Sequence, residues 1–184
     1  MICEIGEKSD LKSQHLKIHG QTKLKGTVRI SGAKNSALVL LAASLLSDEK
    51  ITIENIPDLT DVEKMKNILK TLGVKLVNEE NKLIIDSTDL HNSELPYELV
   101  NGLRASFFCM GSLLARLGEA SLSLPGGCKI GKRPIDEHIK GLKALGATIS
   151  SKDGFILAKI RSPLISGSPN VPVTVFSISA IPKY

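Results

Sequence analysis

The densest cluster of reactive side chains in this sequence surrounds a thiol. Cys128 lies in the run Leu124-Pro-Gly-Gly-Cys-Lys-Ile-Gly-Lys-Arg-Pro-Ile-Asp-Glu-His138, flanked by Lys129, Lys132 and Arg133. Nearby cations favour thiolate over thiol, so this spacing allows a tuned acid or a nucleophile. Packing is a poor explanation for a thiol in a glycine-rich loop. Gly126 to Lys132 also matches the Gly-x-x-x-x-Gly-Lys half of a phosphate-binding loop, but Arg133 stands where Ser or Thr must supply a magnesium ligand. That excludes the ATPase reading. Cys109, inside the apolar stretch 107–114, reads as an inert core residue.

Two further segments place a cation where a helix begins. A strand over 26–30 runs into Ser31-Gly-Ala-Lys-Asn-Ser36 and then into an apolar helix over 36–46. Gly32 would let backbone approach a ligand closely, and Lys34 and Asn35 would lie beside the unpaired N–H groups of the helix mouth, an arrangement that favours an anion. An ordinary N-cap by Ser31 or Asn35 with a solvated lysine fits the same spacing. Asn101-Gly-Leu-Arg-Ala-Ser106 leads likewise into an apolar helix over 105–117, with Arg104 at the equivalent mouth. A solvated arginine is the plainer alternative there, weakened by the apolar neighbours Phe107 and Phe108. His15 and His19 sit four apart with no third ligand, so no metal is expected. His138 reads as a solvated or capping residue, and Asp61-Val-Glu-Lys-Met-Lys66 as a mixed-charge helix surface.

The elements that must position these residues repeat. Ile68-Leu-Lys-Thr-Leu-Gly-Val-Lys-Leu76 and Gly141-Leu-Lys-Ala-Leu-Gly-Ala-Thr-Ile149 share one pattern, 73 positions apart. Each reads as a last helical turn, a glycine at C′ where positive φ is cheap, and the start of a strand. Extended both ways, the pattern gives two copies of helix, strand, helix, strand, strand, at about 26–87 and 101–159. Such a unit cannot bury both helix faces alone, so copies should pack around a shared interior with the first helix of each facing inward. Symmetric packing would bring the two helix mouths to one cavity. Residues 1–12 read as a frayed polar lead-in, and 16–19 and 22–30 as two strands joined through Gly20.

Composition narrows the class. The chain has 184 residues, 42% hydrophobic and 23% charged, the balance of one globular domain or part of a larger one. A net charge of +5 favours anionic partners such as nucleotides or phosphates, while 3% aromatic residues with no Trp leave little for stacking nucleic-acid bases. Neither nucleic acid nor membrane is expected as a partner: the longest apolar run, 37–46, is far short of the roughly 20 residues a crossing needs. Three cysteines without paired spacings and no basic-then-apolar leader point to a cytoplasmic chain.

Taken together, Ser31-Gly-Ala-Lys-Asn-Ser36, Leu103-Arg-Ala-Ser106, Leu124-Pro-Gly-Gly-Cys128 and Ile130-Gly-Lys-Arg-Pro-Ile-Asp136 resemble, in order and spacing, the enolpyruvyl transferase family, in its branch acting on UDP-N-acetylglucosamine. The resemblance covers about 16–158. It implies an α/β (α+β) fold, an inside-out α/β barrel or prism of βαβαββ units, here two complete copies and an incomplete third. It also implies transfer of the enolpyruvyl group of phosphoenolpyruvate to the 3′-hydroxyl of UDP-N-acetylglucosamine with release of phosphate. That reaction opens peptidoglycan synthesis, and with it cell-wall biogenesis, cell shape and division. No cofactor is implied. By matching motif, Lys34 would bind phosphoenolpyruvate and act with Cys128 in catalysis. Asn35 would hydrogen-bond the sugar nucleotide, Arg104 and Arg133 would neutralise phosphates, and Arg133, Pro134, Ile135, Asp136 and Glu137 would wrap the uridine. Cys128 resembles the loop cysteine that serves as general acid and is alkylated by fosfomycin. Fixed cations suit a leaving phosphate, and protonating carbon needs an acid kept from bulk water.

The departures from that family are also legible. Its members are more than twice as long, and their second domain supplies an aspartate base and further arginines. The expected organisation is therefore a polar extension at 1–13 and a partial transferase domain at 14–184, whose tail at 160–184 aligns poorly, as a frameshifted or split gene would produce. An isolated chain of this kind is expected to be inactive. A separate chain could carry the second domain. A non-catalytic UDP-sugar-binding remnant is the alternative, and a relative acting on shikimate 3-phosphate ranks below it, since that group carries Lys-Ser where Lys34-Asn35 stands and lacks the Pro-Gly-Gly-Cys loop.

Overall fold

The structure, a computed structural model, describes residues 3–8, 11–18, 20, 23, 25–123, 135–152 and 154–160. The chain divides into two units, Met1–Ile30 and Ser31–Tyr184. In the first, β1 (Cys3–Lys8) pairs antiparallel with β2 (Leu11–Ile18), with an irregularity at Glu7/Lys8. This corrects the expected frayed lead-in: the register sets the apolar positions Cys3 and Ile5 opposite Ile18 and Leu16. The strand expected over 22–30 is not found at the described residues there. A strand exists only through its partner, and no described strand hydrogen-bonds to that segment.

The second unit contains the repeat. The first copy runs α1 (Lys34–Ala43), a 3-10 turn (Ser44–Leu46), β3 (Ile51–Glu54), α2 (Thr60–Thr71), β4 (Lys75–Glu79) and β5 (Lys82–Asp86). Next come β6 (Glu94–Leu95), α3 (Tyr97–Asn101) and a 3-10 turn (Arg104–Phe108). The second copy continues as α4 (Cys109–Leu117), β7 (Glu119–Ser123), α5 (Asp136–Ala144), β8 (Thr148–Lys152) and β9 (Phe155–Lys159). Both sheets place the last strand in the middle, β3-β5-β4 and β7-β9-β8, antiparallel throughout, and β6 adds a parallel edge to β7. The expected apolar helix over 105–117 is thus a 3-10 turn followed by α4. The short elements β6 and α3 carry too few residues for a periodic signal.

Glycine ends the second helix of each copy, as expected. Gly73 (φ 99°) and Gly146 (φ 95°) follow α2 and α5. In each, the residue after the glycine donates back five positions, Val74 N–H to the Leu69 carbonyl and Ala147 N–H to that of Leu142, while the glycine itself donates to the carbonyl of Lys70 or Lys143. This is the Schellman closure, which satisfies carbonyls the helix leaves open.

One core joins the copies. Leu41 of α1, Leu45 of the 3-10 turn that follows it, Met65, Ile68 and Leu69 of α2, and Met110, Leu113 and Leu114 of α4 are fully buried. Each such side chain contributes about 1.5–3 kcal/mol relative to exposure. Polar groups close the seam where the first copy's opening helix ends. Ser112 Oγ donates to the Ala42 carbonyl (2.8 Å), Ser87 Oγ to that of Ser47 (2.5 Å), and the Arg116 guanidinium to those of Leu45 (3.1 Å) and Ser47. Carbonyls left over at a helix end are thereby satisfied by side chains from later in the chain. α1 turns one face inward, as expected, with Ala37, Leu38, Leu41 and Ala42 buried, but Leu40 is 50% exposed. A helix apolar on every side gives no sequence signal for which side is covered.

Candidate functional site

Lys34 opens α1, with Ala33 extended in the N-cap position and no side chain capping the helix. The alternative of a cap by Ser31 or Asn35 is therefore not found, and Asn35 sits exposed within the first turn. A lysine here opposes the helix dipole, and α1 has no acidic residue in that turn. The compensating charge comes from Asp61 at the start of α2, whose Oδ2 accepts from Lys34 Nζ at 2.7 Å. Asp61 itself occupies a helix end that favours carboxylates. With the side chains 47% and 33% exposed, the ammonium is held in place but stays open to an incoming anion. Gly32 does need its missing side chain, though for a neighbour within the fold: a Cβ there would stand 2.0 Å from the Asn55 carbonyl oxygen.

Arg104 is the first residue of the second 3-10 turn and is partly buried. Side chains three apart eclipse one another on a 3-10 helix, so Arg104 and Phe107 share an edge. The ring of His138, from the first turns of α5, meets that edge, packing T-shaped on Phe107 with centroids 5.3 Å apart at 80°. Burial first, and the Arg104 charge second, hold the His138 imidazole below the usual histidine range. His138 is nonetheless exposed, in keeping with its reading as a solvated residue, and the contact with Phe107 is what that reading lacked.

Ile135, Asp136 and Glu137 stand where α5 begins. Ile135 is buried, while Asp136 and Glu137 are exposed in the first turn, with Glu137 paired to Lys140 at 2.7 Å. Cys128, Lys129, Lys132, Arg133 and Pro134 lie outside the described residues. The structure thus brings Arg104 beside the segment that opens α5, through Phe107 and His138, and packs α1 against the 3-10 turn that Arg104 starts. Cys109 is fully buried, its thiol pushed up to about 12 by desolvation and 3.9 Å from the Met65 sulfur, as an inert core residue should be.

Sequence reasoning missed two participants. Asp61 read as helix surface, because nothing in a periodic pattern reveals a partner 27 positions away. Lys66, in the same charge pattern, is buried, bonded to Glu63 (2.6 Å) and Asn78 (3.3 Å). It faces a cleft of about 320 Å³ between α2 and the β4–β5 hairpin, lined also by Asp58, Glu80 and Lys82, with no sequence-predicted site residue in its wall. Among the described residues, the hydroxyls of Ser106, two positions after Arg104, and of Ser123, at the end of β7, are buried without a hydrogen-bond partner.

Comparison with known proteins adds three findings. A family model described as EPSP synthase (3-phosphoshikimate 1-carboxyvinyltransferase) matches residues 18–177. The UDP-N-acetylglucosamine 1-carboxyvinyltransferase of Prochlorococcus marinus subsp. pastoris is 67% identical over 160 residues, which cover 87% of this chain and 35% of that protein. The chain therefore spans about a third of the length of the curated relatives it matches. Among solved structures, the enolpyruvyl transferase NikO from Streptomyces tendae matches with a TM-score of 0.64 and 27% identity over 79% of this chain and 32% of its own. EPSP synthase from Acinetobacter baumannii shares the fold at 0.52 and 16% identity, over 86% of this chain and 38% of its own.

Proposed function

Because the chain belongs to the EPSP synthase family, we infer that it supplies one lip of an active site that moves the enolpyruvyl group of phosphoenolpyruvate to the 3′-hydroxyl of UDP-N-acetylglucosamine. The observation that carries this reading is the 67% identity to a protein of that name. It favours the UDP-sugar over shikimate 3-phosphate, as does Asn35 after Lys34. On this reading Lys34 receives phosphoenolpyruvate from its pairing with Asp61, and Asn35 bonds the sugar nucleotide. Arg104 and Arg133 offset phosphate charge, residues 133–137 border the uridine, and Cys128 delivers a proton to the methylene carbon. Fixed cations aimed at a departing phosphate stabilise charge where it develops. The reaction would serve peptidoglycan synthesis in the cytoplasm.

The architecture that goes with this reading is an inside-out barrel of repeated βαβαββ units over 14–184. Two features support it: strand order is the same in both copies, and Leu40 is half exposed on a helix that is apolar all round. Since the chain spans a third of its relatives, the opposite lip lies in sequence it does not match, and the 184 residues alone should bind without turnover. Phosphate release with both substrates, measured beside fosfomycin labelling of Cys128 followed by mass spectrometry, tests this. Labelling without release is the expected result. Failure of Cys128 to label in the presence of UDP-N-acetylglucosamine would contradict it.

A further inference from the structure

The cleft between α2 and the β4–β5 hairpin has an internal control in the second copy. At the 73-position offset, Lys66 corresponds to Ile139 and Lys82 to Phe155, and the pairing of Glu79 with Lys82 in one hairpin is that of Lys152 with Phe155 in the other. Ile139 packs against the core and Phe155 is half-buried, so apolar side chains fill this place in the second copy. The first copy instead buries an ammonium behind the hairpin and leaves about 320 Å³ open beside it. Burying a lysine carries a desolvation cost that a hydrophobic side chain avoids, and the ion pair with Glu63 does not by itself account for the exchange.

The groups lining the cleft fall into two complementary sets. An ammonium has three donors, of which Lys66 gives one each to Glu63 and Asn78, and Asn78, accepting through Oδ1, adds its own NH2 as a further donor. The remaining donors suit a carboxylate. On the same walls Asp58 and Glu80 have no ion-pair partner among the described residues, while Lys82 is held by Glu54 at 2.9 Å. These two carboxylates suit an ammonium. Glu80 stands at φ 37°, a left-handed value cheaper for glycine, so the hairpin carries this carboxylate at a conformational cost. Half-buried Ile56 and buried Leu83 supply an apolar floor. The volume lies at the small end of the range for ligand pockets, about 300–1,000 Å³, which suits a molecule far smaller than a sugar nucleotide. We propose that this cleft binds a free α-amino acid with an aliphatic side chain: the ligand carboxylate bonds Lys66 and Asn78, its ammonium pairs with Asp58 and Glu80, and its side chain covers Leu83. The site shares no residue with the group formed by Lys34, Asn35, Arg104 and 133–137, so it stands or falls apart from the UDP-sugar reading.

An NMR titration of the isotope-labelled 184-residue chain with L-leucine at neutral pH tests this. Saturable amide shifts are expected at Ile56, Asp58 and Asn78 to Leu83. L-leucinamide, which lacks the carboxylate, and N-acetyl-L-leucine, which lacks the ammonium, should each bind about tenfold or more weakly. Lys66→Met keeps the aliphatic stem and removes the ammonium, and Lys82→Phe installs the second copy's residue and fills the cleft. Each variant should weaken L-leucine by about tenfold or more while leaving the response to UDP-N-acetylglucosamine unchanged. No saturable shift with L-leucine, shifts elsewhere in the chain, equal affinity for the three compounds, or undiminished binding in K66M or K82F would overturn the proposal. Should K66M fail to fold, K82F, altered only at an exposed side chain, decides alone.

Discussion

The two copies of the repeat differ most in their second helices. Both α2 and α5 begin with acidic residues, carry a lysine in the last turn and end in the same glycine closure. Yet α2 buries Val62, Met65, Lys66, Ile68 and Leu69, and α5 buries nothing. Gly73 and Gly146 set the equivalence at 73 positions, which pairs Met65 with His138 and Leu69 with Leu142. What differs is the far side. α2 is covered by the second copy, through Met65 against Cys109 and Lys64 Nζ donating to the Gly102 carbonyl at 3.1 Å. α5 has partial cover, with Ile139 and Leu142 packed on the rim of the core. The same local sequence logic thus makes a structural helix in one copy and leaves a surface in the other. At that surface a histidine takes the place of a core methionine.

Exchanging the two residues should break the comparison most sharply. Met65→His puts an imidazole into a fully buried site and should cost about 2–5 kcal/mol in denaturant unfolding, whereas His138→Met should be close to neutral. Equal costs would mean that the copies are equally closed. Next in size is the seam. Arg116→Met keeps the aliphatic stem but strips the Leu45 and Ser47 carbonyls of a donor, for an expected loss of about 1–3 kcal/mol by the same measurement.

Smaller effects separate stability from site chemistry. Asp61→Asn breaks an exposed pair and should change stability by about 0.2–1 kcal/mol. Amide shifts at Lys34 and Asn35 should nonetheless report the loss of the anchor. His138 adds a pH signature. Its folded-state affinity for protons lies below the ordinary value, so its contribution is present above the histidine range and is lost as pH falls through that range. H138Q should flatten that part of a stability profile. Ser106→Ala should be neutral or slightly stabilising, because its buried hydroxyl has no partner to lose among the described residues. A cost above about 1 kcal/mol would mean that the hydroxyl is satisfied after all.

Much of this was legible along the chain, and the rest was not, for one physical reason. Gly73 and Gly146 announce themselves because positive φ is nearly a glycine property, and the repeat follows from matching helices and turns around them. Lys34 and Arg104 were readable as helix mouths because an apolar run must start somewhere. The β1–β2 hairpin, the Lys34–Asp61 pair and the contact of His138 with Phe107 depend on which distant segment comes alongside, and period and propensity do not carry that information. Likewise α1, apolar all round, could not say that Leu40 would face out.

The most direct test of the account is to titrate isotope-labelled chain with UDP-N-acetylglucosamine and follow backbone amides. Lys34 and Asn35, Arg104 to Phe107, and Asp136 to His138 should shift together along one binding curve. Shifts confined to the α2 and β4–β5 cleft around Lys66, or separate curves for the three helix mouths, would contradict it.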